Sequence, residues 1–110
     1  MILQRTLIAI AADDKNRMWG GHFGMAPRYF LYSPAGELIE KRPNPYGAGQ
    51  SHEHHDDPKR IIDLLPECAV FIGRRMGEES KRKLAERFGI DAVLTTEKTP
   101  EAALRAYLSS

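Results

Sequence analysis

The sequence predicts an α/β fold, a single domain over residues 1–110 built on a mixed five-stranded sheet with helices on both faces. Three observations lead there. Thr6-Leu7-Ile8-Ala9-Ile10-Ala11 is a nearly unbroken aliphatic run, as expected of a strand covered on both sides of a sheet. Two extended stretches meet at Pro34-Ala35-Gly36, the signature of an antiparallel hairpin at one edge. The second half alternates helical and extended patterns, which implies parallel βαβ units with right-handed crossovers.

Each element has a local cause. The first strand stops at Asp13-Asp14, and residues 15–24 read as a glycine-bearing loop. Tyr29-Phe30-Leu31-Tyr32-Ser33 is rich in aromatic residues that favour a pleated surface, and Leu38-Ile39-Glu40-Lys41 resumes the extended pattern after the turn. Asp57 and Pro58 suit a helix start, Ile61, Ile62, Leu64 and Leu65 supply its apolar face, and Pro66 ends it. Ala69-Val70-Phe71-Ile72 is a buried strand ending at Gly73, and Cys68 at its start reads as a small core hydrophobe. Glu78 and Glu79 favour a helix start; Leu84, Ala85 and Phe88 are expected on its inner side, with Gly89 closing it. Ala92-Val93-Leu94 gives the last strand. Thr99 and Pro100 open a last helix carrying Ala103, Leu104, Tyr107 and Leu108.

Composition excludes several classes. With 42% hydrophobic and 28% charged residues, the chain is neither extensively disordered nor a membrane protein. A net charge of +1 argues against a general nucleic-acid binder, which needs a cationic face. One cysteine excludes an intrachain disulfide and a four-cysteine cluster or zinc site. The apolar run near the start, about seven residues, is too short for a span and wrongly flanked for a signal peptide, so a cytoplasmic location is expected.

Ligands of such sheets sit outside the carboxyl ends of the parallel strands. Three segments gather there. In the loop after the first strand, His22 lies among Gly20, Gly21 and Gly24, which let the backbone approach a ligand and free the imidazole to act as a metal ligand. The turn Gly73-Arg74-Arg75-Met76-Gly77 has the composition of an anion site, or of a plain strand–helix turn with solvated arginines. The loop over residues 43–57 holds three of the four histidines. Its His52, His54 and His55 read either as a divalent-metal site or as a polar loop with adventitious metal affinity. Asp13 and Asp14 open another route, a magnesium-binding carboxylate pair for phosphoester hydrolysis. The arginines at the end of the fourth strand count against it.

Taken together, Gly21-His22-Phe23-Gly24-Met25-Ala26-Pro27 before an aromatic strand resembles the dinitrogenase iron–molybdenum cofactor biosynthesis family. Arg42-Pro43-Asn44-Pro45, the histidine-rich loop, the Gly73, Met76 and Gly77 turn and the C-terminal helix fit the same pattern over essentially the whole chain. The resemblance implies an RNase H-like fold without nuclease activity. It also implies a free-standing, non-catalytic protein that binds or carries an iron–sulfur or iron–molybdenum type cluster between donor and acceptor proteins. His22 then takes the cofactor-binding role of the family's His-Phe-Gly histidine, with Phe23, Gly24, Arg74, Arg75, Met76 and Gly77 around the cofactor. His52, His54 and His55 would form a second, mobile ligand arm. Where the family often has paired glycines, this chain has Arg74 and Arg75, which add positive charge facing an anionic cluster or simply fill space. The third reading is a metal-responsive interaction module centred on the His52–His55 tract.

Overall fold

The structure, a computed structural model, describes residues 5–46 and 59–110. Strands β1 (Leu7–Ala12), β2 (Arg28–Tyr32), β3 (Leu38–Pro43), β4 (Cys68–Gly73) and β5 (Asp91–Leu94) form one sheet in the order β3-β2-β1-β4-β5. The described residues also form three α-helices, α1 (Lys59–Leu64), α2 (Glu78–Phe88) and α3 (Pro100–Ser109), and a 3-10 turn at Phe23–Met25 between β1 and β2. β2 runs antiparallel to both β1 and β3, whereas β4 is parallel to β1 and β5. The expected mixed sheet, with its hairpin at one edge and parallel units at the other, is present.

Alternation along the strands sorts the side chains into two cores. Ala9, Ala11, Tyr29, Leu31 and Phe71 face Ile61 and Ile62 of α1 and Leu84 of α2. Ile8, Ile10, Phe30, Tyr32, Val70 and Ile72 face Ala103 and Leu104 of α3. Helices therefore cover both faces. β1 is apolar on every residue because it lies at the centre of the sheet and both its faces are roofed.

Two expectations fail at the periphery. Ala85 and Phe88 of α2 are exposed, Phe88 by 39%, and Leu84 alone of that helix is fully buried. The four-residue edge strand β5 offers too little sheet beneath the helix, and Ile90 enters the core from beyond its left-handed Gly89 cap instead. Leu108 of α3 is likewise 44% exposed, lying against the hairpin turn at Gly36 rather than in the core. The helix start expected at Asp57 and Pro58 lies outside the described residues.

Arg42 secures the outer strand. Its guanidinium forks onto both carboxylate oxygens of Glu67 at 2.9 and 2.8 Å, reaches the Leu64 carbonyl at 2.8 Å and also holds Glu40. An exposed edge strand is thereby tied to the turn between α1 and β4.

Candidate functional site

The sheet register places the end of β1, the start of β2 and the end of β3 level with one another, Ala12 opposite Arg28 and Arg28 opposite Pro43. β4 and β5 end on the same side, Gly73 opposite Leu94. The chain therefore leaves β1, β3, β4 and β5 at one edge.

The β1 loop is built by its own side chains. Asp13 Oδ1 accepts from the amides of Lys15 and Arg17 at 2.8 and 2.9 Å, closing a turn in which Asn16 takes the left-handed conformation (φ 63°). The chain then returns to the sheet, where the Trp19 amide donates to the Ala11 carbonyl and the Met18 amide to the Lys98 carbonyl. Past Trp19, the indole lies over Gly21 so closely that a Cβ there would sit 2.9 Å from Nε1. The same Nε1 donates to the His22 carbonyl at 3.0 Å. His22 itself is exposed, and its backbone forms a parallel bridge with Arg75, in which the Phe23 amide donates to the Arg75 carbonyl at 2.8 Å.

Phe23 turns the other way. It is 4% exposed, stacked on Phe71 with ring centroids 4.8 Å apart and tilted against Tyr29 at 4.9 Å. Its side chain anchors the turn in the core and offers no surface to a ligand. Above it the carbonyls of Phe23, Gly24 and Ala26 are held. The Tyr29 hydroxyl donates to Phe23 O at 2.6 Å, and Asn44 Nδ2 donates to Ala26 O at 2.8 Å and to Gly24 O at 3.2 Å. Asn44 Nδ2 also lies 3.2 Å from the Tyr29 hydroxyl, while Asn44 Oδ1 accepts from the Tyr46 amide. Burial pushes the Tyr29 phenol well above its ordinary range, keeping it a neutral donor. Gly24 packs beside Ile61 of α1.

Arg74 and Arg75 are both exposed at this edge. Arg74 Nη2 donates to the Glu97 carbonyl at 3.1 Å, and the Arg75 guanidinium has no hydrogen bond or ion pair with another described residue. Met76 is half-buried against the core, and exposed Gly77 precedes α2, so its amides open the first helical turn. His22, Arg75 and the 74–77 turn thus lie together.

His52, His54 and His55 lie outside the described residues. The residues flanking that segment, Tyr46 and Arg60, meet at the same edge, the guanidinium 4.5 Å from the ring centroid. Of the carboxylate pair, Asp13 is engaged in its own turn and Asp14 pairs with Arg28 at 3.2 Å. Among the described residues, no three His, Cys, Asp or Glu side chains group closely enough to hold a metal ion by themselves. No described helix is long and apolar enough to cross a membrane. Cys68 is buried at the opposite end of β4, and burial, helped by Glu67, pushes its thiol up to about 12.

Trp19, Tyr29 and Asn44 escape sequence reasoning. The signals available were a tryptophan directly before Gly20-Gly21 and an asparagine between two prolines.

The family model described as dinitrogenase iron-molybdenum cofactor matches residues 4–110. No curated protein matches the chain. Among solved structures, a Thermotoga protein solved by NMR, described as a NifB candidate of the DUF35 family, superposes with a TM-score of 0.69 at 18% identity. That match covers 96% of this chain and 89% of the other. The crystal structure of PH0822 superposes with a TM-score of 0.70 at 16% identity, covering 94% of this chain and 88% of that one. At such identities the likeness is one of fold.

Proposed function

The chain belongs to the dinitrogenase iron-molybdenum cofactor family, and on that premise we propose that it binds and carries an iron–sulfur or iron–molybdenum type cluster during cofactor assembly without catalysing a reaction. One observation carries the reading. His22 is exposed at the loop edge of the sheet, on a backbone bridged to Arg75, whose guanidinium has no partner among the described residues. A neutral imidazole is a ligand for iron, and exposed guanidinium groups offset the charge of an anionic cluster. In this reading His22 ligates the cluster, and Arg74, Arg75 and the amides around Met76 and Gly77 balance it. Phe23 and Gly24 hold the turn beneath.

A single imidazole makes a labile attachment, which suits delivery. Each 1.4 kcal/mol of added affinity slows release roughly tenfold at constant on-rate. We further propose that residues 43–57 act within this one domain as a second ligand arm through His52, His54 and His55. Cluster donor and acceptor proteins of a cytoplasmic, nitrogen-fixation-related pathway would be its partners. The strand order and directions support reading the sheet as RNase H-like. The phosphoester-hydrolase alternative is not favoured, because Asp13 and Asp14 are committed to the turn and to Arg28.

Anaerobic reconstitution with an iron–sulfur precursor, followed by absorption and electron paramagnetic resonance spectroscopy, tests the proposal. His22→Ala is expected to lose the cluster while melting like the parent. Equal cluster retention by His22→Ala and parent overturns the assignment. Loss on deleting residues 52–55 with full retention in His22→Ala would move the site to the histidine tract.

A further inference from the structure

Resting on the cluster-carrier reading, the geometry points to Trp19 as the residue that positions His22. The stretch before His22 is Gly20-Gly21, the backbone with the most conformational freedom to lose on ordering. Left alone, such a segment would let the imidazole sample many directions. After His22 the chain is held firmly, since the Phe23 amide is bound to Arg75 O and the Met25 amide to His22 O. Before His22 the restraint comes from the Trp19 ring over Gly21.

Trp19 is suited to this by being fixed itself. Its amide donates to the Ala11 carbonyl of β1, and its half-buried ring packs against the core. From that base the indole reaches forward to Nε1···O=C of His22 at 3.0 Å and roofs Gly21. A Cβ on residue 21 would lie 2.9–3.0 Å from three indole atoms, so ring and glycine fit only together. The ring thus holds His22 from both sides, covering Gly21 before it and bonding the carbonyl of the His22–Phe23 peptide unit after it. It touches no ligand in this role; it acts through the His22 backbone.

Two variants separate the N–H from the ring. Trp19→Phe removes the donor and part of the roof. Replacing Trp19 with 3-benzothienylalanine removes only the donor, and global incorporation is specific because the chain has one tryptophan. The first readout needs no cluster: the ¹⁵N order parameters of the Gly21 and His22 amides, expected to fall in both variants while the melting temperature holds in the isostere. The second is release of the reconstituted iron–sulfur cluster to a chelator, expected to quicken roughly fivefold, the scale of one lost hydrogen bond. Unchanged order parameters in the isostere overturn the positioning role, whatever the cluster does. Lowered order parameters with unchanged release, where His22→Ala has lost the cluster, also overturn it. Full retention in His22→Ala overturns the assignment of His22 as the cluster ligand, and the tether then stands or falls on the order parameters alone.

Discussion

The Tyr29 hydroxyl donates to the Phe23 carbonyl at 2.6 Å, directly beneath the turn that presents His22. It also takes part in the Asn44 side-chain network, so one oxygen joins β2, the 3-10 turn and the residue leaving β3. Tyr29→Phe would leave the ring packing intact, leave the buried Phe23 carbonyl with only the Ala26 amide at 3.4 Å, and take the hydroxyl away from Asn44 Nδ2. The expected cost is about 1–3 kcal/mol, read as a lower denaturation midpoint at unchanged slope. Amide exchange at Phe23 to Ala26 should rise in the same variant. A midpoint within error of the parent would mean that the Ala26 amide alone satisfies the Phe23 carbonyl.

Gly73 closes β4 where the Phe23 ring descends, and a Cβ there would meet Phe23 Cδ1 at 3.0 Å and Cβ at 3.5 Å. The ring is also stacked on Phe71 and tilted on Tyr29, which leaves it little room to yield. Gly73→Ala therefore overpacks this junction and should destabilise by about 1–3 kcal/mol. Because Phe23 follows His22 directly, a crystal structure of the variant should show the turn displaced outward. Gly20→Ala, with open space around its Cβ position, is the control and should change stability little.

The sheet was legible because its causes are local. The nearly unbroken aliphatic run at 6–11 marks a central strand, which spans 7–12 in the structure, and Pro34-Ala35-Gly36 marks the reversal between β2 and β3. The 3-10 turn and its supports were not, because they arise from contacts between residues far apart in sequence. Asn44 meets Ala26 across eighteen positions and Tyr29 across fifteen, with no periodic pattern to announce either. Phe23 likewise looks like part of a ligand loop until Phe71 is seen beneath it. The outer side of α2 misleads for a related reason: amphipathic spacing says which face is apolar, not how much sheet lies below to cover it.

Arg42 makes stability depend on acid pH. Its guanidinium holds the Glu67 and Glu40 carboxyls below their ordinary range, chiefly through side-chain hydrogen bonds. A depressed folded pKa contributes stability above the unfolded carboxylate value, near ~4.3, and that contribution disappears as pH falls through the folded value. Denaturation midpoints of the parent should therefore drop as pH falls below the ordinary glutamate range. In Arg42→Met, stability at neutral pH should fall by about 1–2 kcal/mol, a modest figure because Glu67 is partly solvent-screened. The acid slope should flatten in the same variant, and parallel pH profiles for the two proteins would refute the linkage.

Cys68 separates imidazole from thiolate ligation. It is fully buried at the start of β4, the end of the sheet remote from His22, and its thiol is pushed up to about 12 by burial. A buried, protonated thiol is neither a nucleophile nor a metal ligand. Ellman's reagent at pH 8 should leave the native protein unreacted for as long as it stays folded and titrate one equivalent in guanidinium. Cys68→Ala should cost about 1 kcal/mol for the small cavity and leave cluster retention at the parent level. Retention that falls in Cys68→Ala at an unchanged melting temperature would put sulfur, rather than the His22 imidazole, in the coordination of the cluster.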